Sequence, residues 1–335
     1  MRLPLLACVA ALIASPALAA EVNVYNSRHY STDRQLWEMF TKSTGIKVNV
    51  VDGEFDALAT RLKAEGARSP ADVMIAVDAG RLAAAAADGL FQPLRLPEVE
   101  AAIPAHLRDP DGRWFGFSMR ARVFIVPKAL AAADTPQRYE DLADPRFRGQ
   151  VLVRSGTNIY NLGLTSSVLA AVGEPASEAW ARGLVANLAR PPRGGDTDQI
   201  RAVAAGEGRI GISNTYYLGN LARSTRADER AIAESVRVVF PNQADRGTHV
   251  NVSGAGIVRT APNLENARKL MAFFASAEAQ RYLADVNMEY PANPAVEPHQ
   301  FLRELGNFKA DQLNASAYAQ TNGQARRINE RAGWN

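Results

Sequence analysis

Residues 21–88 switch repeatedly between two hydrophobic periods, and this alternation restricts the fold more than any other feature of the chain. EVNVYNS (21–27) alternates in polarity and is rich in strand formers, which predicts a strand. The following STDRQLWEMFTKSTG carries Leu36, Met39 and Phe40 at helical spacing, with Ser31 or Thr32 to cap its start and Gly45 to end it. IKVNVVDG (46–53) is a second strand, and DALATRLKAEGARSP an amphipathic helix stopped by Gly66 and Pro70. ADVMIAVD (71–78) and AGRLAAAAADG repeat the pair. Strands separated by helices of crossover length form a mainly parallel sheet covered by those helices.

Prolines and short polar stretches interrupt the pattern near residues 92–115, after which WFGFSMRARVFIVPK (114–128) reads as two short extended segments. The alternation then resumes. VLVRS is a buried strand, IYNLGLTSSVLAAVG and SEAWARGLVANLA are helices, and TDQIRAVAAGEGRIGISNT gives a helix, a turn and a strand. YYLGNLARS opens a further helix, VRVVFPNQ is a strand, and HVNVSGAGIVRT is a strand pair or a bent strand. NLENARKLMAFFASAEAQRYLADV is one amphipathic helical stretch, and the tail holds further short helices. Two α/β units result, with extended segments at 117–126 and 236–252 placed to cross between them as a hinge. Ligands bind beyond the carboxyl ends of strands in such sheets, so two units facing across a hinge form a cleft that closes on its ligand.

A leader precedes this pattern. Arg2 is the only charge before Glu21, and LPLLACVAALIASPALAA between them is apolar and ends in small residues. With Ala17-Leu18-Ala19 as the cleavage site, residues 1–20 form a secretory signal peptide, removed after Ala19 or Ala20. Pro16 interrupts the run, which argues against a spanning helix of about 20 apolar residues. Leu5-Leu6-Ala7-Cys8 also resembles a lipid-attachment box, but would leave almost no positive region ahead of the cysteine. Cys8 is the only cysteine, so the mature chain has no disulfide, thiolate metal site or cysteine nucleophile. The 38 basic and 35 acidic residues nearly balance, and without clustered Lys/Arg no nucleic-acid partner is expected.

The residues that follow the strands carry the functional signal. Arg28-His29-Tyr30 follows VNVYNS, Tyr160 follows VLVRSGTN, and Tyr216-Tyr217 follows RIGISNT. Four of the nine tyrosines thus sit at loop-to-helix junctions, whereas Tyr282 lies on a helical face and reads as packing. A phenol is neutral near pH 7, but a small trivalent cation favours the phenolate, a hard anionic donor suited to Fe(III). Four phenolates around Fe(III) carry about −1, which a permanently protonated guanidinium offsets; Arg120, next to Arg122 in the inter-unit segment, is the candidate. Tyrosines in a cleft also stack on sugars or organic cations, so periodicity alone leaves the ligand open. With no nucleophile elbow, zinc motif, P-loop or paired-carboxylate signature, an enzyme is not expected.

These residues belong to a wider resemblance. VNVYNSRHYSTDRQL, RLKAEGARSPADVMIAVDAGRL, WFGFSMRARV, NIYNLGL, GISNTYYLGNLARS, NVSGAGIV, SAEAQRYL and the tail FKADQLN…AGWN are similar, over the whole mature chain, to the periplasmic ferric-ion-binding proteins of ABC transporters, in particular the tyrosine-rich cyanobacterial-type branch. The resemblance implies a class II periplasmic-binding fold, two α/β lobes joined by a two-strand hinge, with 22–118 plus 243–293 in one lobe and 119–242 plus 294–335 in the other. It also implies Fe(III) held by Tyr30, Tyr160, Tyr216 and Tyr217, with His29 an optional or indirect ligand and Arg120 pairing with carbonate or another synergistic anion. Glu54 lies near the position of a glutamate ligand in another branch, but four tyrosines already fill most of the shell. A periplasmic monomer serving an inner-membrane ABC permease is the implied role. Relatives of the same fold that bind a polyamine, thiamine, a phosphonate or a sugar define the alternative.

Overall fold

The structure, a computed structural model, describes residues 20–28 and 30–335, so all but Ala20 of the expected signal peptide lies outside the described residues, Cys8 included. Among the described residues, nine strands form one continuous, curled sheet: β1 (Glu21–Asn26), β2 (Lys47–Asp52), β3 (Val73–Ala76), β4 (Phe115–Pro127), β5 (Val151–Leu152), β6 (Ile210–Asn214), β7 (Val236–Val239), β8 (Val250–Ile257) and β9 (Tyr290–Pro291). β2, β1 and β3 pair in parallel, with helices Asp33–Thr44 and Phe55–Glu65 as crossovers. Gly45 ends the first helix at φ 71°, a left-handed conformation that suits glycine. On the far side β5 and β6 are parallel, joined through three helices: Ile159–Val172, Glu174–Ala186 and Asp196–Ala204.

β4 links the two halves. The expectation of two short segments over 114–128 is corrected: this is one strand of 13 residues. No glycine or proline interrupts residues 118–126, and the ladder is handed from one partner to another without a break. Arg120 and Ala121 pair with Asn251 and Val250 of β8, and Arg122 and Val123 pair with Asn214 and Ser213 of β6. The second crossing is likewise narrower than 236–252. β7 is a short strand against the far half of β4. A turn with Asn242 and Gly247 at positive φ follows, and β8 alone returns between β3 and β4. The helical stretch after residue 263 is two helices, Leu264–Ala275 and Ala277–Asn287, because Ser276 turns to extended backbone and caps the second through the amide of Ala279. The tail, expected to hold short helices, has one short helix, Gln300–Glu304, and one long one, Ala317–Ala332.

Side chains of a strand alternate between faces, and the far half of β4 separates two apolar cores in this way. Phe124 and Val126 join Tyr139, Leu164, Trp180 and Trp334 on one face, and Val123 and Ile125 join Leu152, Ile200 and Leu218 on the other. A third core gathers residues of β1, β3, the near half of β4 and β8 with helix Leu264–Ala275. Helix Ala317–Ala332 reaches across: Tyr318 packs in this third core, while Ile328 and Ala332 pack with Trp180. The same alternation places Ser118, Arg120 and Arg122 on one face of β4, beside the tyrosines that follow β1, β5 and β6.

Candidate metal centre

Four phenols converge where these strand ends meet. Tyr160 is the second residue of helix Ile159–Val172, whose first turn is fixed by Asn158 accepting from the Tyr160 amide at 3.0 Å. Tyr216 and Tyr217 stand in the first turn of helix Thr215–Ala222, directly after β6. Tyr160 and Tyr216 are buried and their hydroxyls lie 3.3 Å apart. The Tyr217 ring lies over that of Tyr216 at 4.1 Å between centroids. Tyr30, half-buried, reaches in from the other side of the cleft, its ring edge-on to Tyr216 at 6.3 Å. His29 lies outside the described residues, and Glu54 is an exposed N-cap position of helix Phe55–Glu65.

Guanidinium groups surround the phenols. Arg28 donates to Asp33 through Nε and Nη2, at 2.9 and 3.3 Å, and to Glu289 at 3.3 Å. That clamp shapes the loop after β1 and holds the cation 4.7 Å from the Tyr30 ring centre. Arg120, Arg122 and Arg154 lie 5.4, 5.9 and 5.6 Å from the ring centre of Tyr160. Arg120 is 1% exposed. It donates to Ser253 at 3.2 Å and lies 3.9 Å from Glu289, while its Nε and Nη2 have no protein acceptor. A buried donor pair of that kind suits a small anion bound in two-pronged fashion. Arg122 donates to Asp196, and Arg154 donates to the same carboxylate at 2.6 Å.

The charges balance locally. Arg28, Arg120, Arg122 and Arg154 are set against Asp33, Glu289, Asp196 and Asp78, the last interacting with Arg120 across the hinge. Burial first, and then the neighbouring phenols and carboxylates, hold the hydroxyls of Tyr30, Tyr216 and Tyr217 protonated well above the usual phenol range. Only a strongly charged cation offsets that cost for several phenols at once. Among the described residues no group of three or more His, Cys, Asp or Glu side chains is placed to hold a metal. The donor set is thus phenolic, hard and anionic when ionised, which matches a trivalent ion.

The structure brings together Tyr30, Tyr160, Tyr216, Tyr217 and Arg120 as the sequence suggested. It adds residues given no role there: Arg28, Arg122, Arg154, Asp196, Ser118 and Glu289. A signal for two of them existed. Arg122, like Arg120, is a charge in a mostly apolar strand run, and Glu289 stands alone in NMEYP between a helix end and β9. A charge in such a place needs a buried partner.

Comparison with known proteins gives the family. The family described as bacterial extracellular solute-binding protein matches residues 68–306. Iron uptake protein A1 of Synechocystis sp. is 47% identical over 320 residues, covering 96% of this chain and 89% of that protein. The major ferric iron-binding protein of Neisseria meningitidis serogroup B is 30% identical over 330 residues, covering 97% and 96%. The solved structure of Trichodesmium IdiA (FutA) in complex with iron and citrate ligands is similar at a TM-score of 0.91 and 46% identity, covering 94% of this chain and 100% of that one. The architecture is the class II periplasmic-binding fold.

Proposed function

Because this chain belongs to the bacterial extracellular solute-binding protein family, and within it to the ferric-ion-binding proteins, we propose that it captures Fe(III) in the cleft through Tyr30, Tyr160, Tyr216 and Tyr217 and delivers it to an inner-membrane ABC permease. It is a periplasmic binding protein, exported by the signal peptide at residues 1–20, and it acts as a monomer that turns over no substrate. The convergence of the Tyr160 and Tyr216 hydroxyls among buried arginines carries this reading. A lobe division of 22–118 with 243–293 and 119–242 with 294–335 follows the separate cores in the main, with Ala315 and Tyr318 reaching into the core of the first lobe and Val250 and Tyr290 into one of the second.

Each ligand has a defined task. The phenols give up their protons as iron enters, and the resulting phenolates supply charge to Fe(III) in a site from which water is largely excluded. Arg120 offsets the residual negative charge and offers its two free donors to carbonate or a related anion. Three ligands sit on one side of the cleft and Tyr30 on the other, so iron is taken first by Tyr160, Tyr216 and Tyr217, and Tyr30 joins as the cleft closes. Iron then stabilises the closed form by its greater affinity for it. An organic ligand has less support, since the Tyr30 and Tyr216 rings stand at 88° and offer no parallel pair to hold a flat molecule.

The test is optical. Iron-loaded protein should show a visible phenolate-to-Fe(III) charge-transfer band, and its position should respond to bicarbonate through Arg120. A colourless iron-loaded protein would overturn the site.

A further inference from the structure

One buried ion pair, Arg122 with Asp196, is tied to the segments that carry three of the four tyrosines. Asp196, 1% exposed, opens helix Asp196–Ala204. It accepts from the Arg122 guanidinium, from Arg154 at 2.6 Å and from the Asn214 amide at 3.2 Å. Arg122 in turn donates to the side chain of Asn161 at 2.6 Å and to that of Asn214 at 3.1 Å. Asn161 follows Tyr160, and Asn214 stands two residues before Tyr216. Asn161 also donates to the carbonyls of Arg154 and Ser155, both at 3.0 Å, which closes the loop that delivers Tyr160.

The Asn214 side chain makes no cap bond at the start of helix Thr215–Ala222. An asparagine at that position ordinarily accepts from an amide of the first turn; here its oxygen is given to Arg122 instead. Local helix stability is given up for a tie between β4 and β6. Arg122 is also bound to the hinge through its backbone: its amide donates to the His249 carbonyl at 3.0 Å, and its carbonyl accepts from the Tyr139 hydroxyl at 2.5 Å. The Tyr139 hydroxyl also accepts from the His249 amide at 3.1 Å. One arginine thus fastens both crossing segments and the two strand ends, of β5 and β6, that lead to Tyr160 and to Tyr216 and Tyr217.

We propose that Arg122 and Asp196 are positioning residues for iron capture: the forked guanidinium, held by the carboxylate, fixes the spacing of Tyr160 against Tyr216 and Tyr217 before iron arrives. The inference rests on the tyrosine site proposed above. It depends on the planar fork, since Nη1 serves Asp196 and Asn214 while Nη2 serves Asn161, and an ammonium keeps the charge but has one nitrogen in place of those two.

Arg122→Lys is therefore the decisive variant. Iron affinity is measured by competition with citrate, alongside the visible spectrum of the iron-loaded protein and the melting temperature of the iron-free protein. Arg122→Lys should weaken iron binding about 10- to 100-fold, the range for partners that orient metal ligands, and shift the charge-transfer band, which a loss of stability alone would not move. Asn161→Ala and Asn214→Ala, each removing one tie, should give smaller losses in the same direction, and they serve if Arg122→Lys does not fold. Parental affinity and spectrum in the folded variants would overturn the positioning role while leaving the tyrosine site intact. A parent that binds no iron would overturn the site itself.

Discussion

The hydroxyl oxygens of Tyr160 and Tyr216 lie 3.3 Å apart although the residues are 56 positions apart in the chain. Two phenolates at that distance would repel strongly, so the pair can ionise together only around a shared cation. Tyr216→Phe removes one donor without changing ring packing against Tyr217 and Tyr30. Iron affinity should fall by at least about tenfold, ~1.4 kcal/mol, and the visible band should weaken or move. An absorption titration with ferric citrate reads both quantities, and an unchanged band would exclude Tyr216 as a ligand.

Tyr30→Phe should behave differently. Its oxygen comes from the opposite side of the cleft, so the remaining three phenols should still take iron, more weakly and with faster release to a chelator. Stopped-flow release into a strong chelator, compared with Tyr216→Phe, measures the difference. Complete loss of iron uptake would contradict the proposed order.

Loading should depend steeply on pH. Tyr30, Tyr216 and Tyr217 hold their protons well above the usual phenol range in the iron-free protein, chiefly through burial. The empty protein therefore binds more protons than the loaded one, and iron affinity rises with pH. Each phenol deprotonated on loading contributes about a tenfold gain per pH unit. Proton release on iron addition, followed with an indicator dye in weak buffer, should approach the number of phenols that ionise; no release would rule out phenolate ligation.

A second pH effect concerns folding. His249 is buried at the crossing, its Nδ1 3.1 Å from the Tyr318 hydroxyl. Burial, with help from Arg122, Arg120 and Arg246, lowers its pKa from the usual 6.5 to about 3. Below about pH 6.5 the unfolded chain takes up a proton that the folded chain refuses, so this group costs stability as pH falls and has no effect above that window. By about pH 4.5 the penalty is about 3 kcal/mol. Chemical denaturation of His249→Asn should show a shallower decline from neutral to acid pH than the parent; parallel declines would remove His249 from the account.

Much of this was legible in the chain before any coordinates. The periods of 21–88 specify the parallel strands, and the tyrosines after VNVYNS, VLVRS and RIGIS mark the strand ends that meet. What escaped depends on pairing between distant segments. The sequence around Arg120–Arg122 shows no break, but also nothing to say that Arg120 faces Asn251 while Arg122 faces Asn214. Asp196 looks like an ordinary acidic residue at a helix start, favourable there for its dipole alone. Its three partners come from β4, the exit of β5 and the end of β6, so its role exists only in three dimensions.

The order in which the sheet is built has a consequence for when metal can be bound. β3 pairs with β8 and only through it with β4, so the half of the protein that carries Tyr30 has to wait for residues 250–257. The loop leading to Tyr160 waits longer, since the Arg154 carbonyl is capped by the Trp334 indole at 3.0 Å and Gly156 leaves room for that ring. A chain that emerges from a translocation channel from one end to the other would therefore pass through the channel, and begin to fold, without a complete ligand set. The four tyrosines thus come together only when residues 250–257 and Trp334 have taken their places.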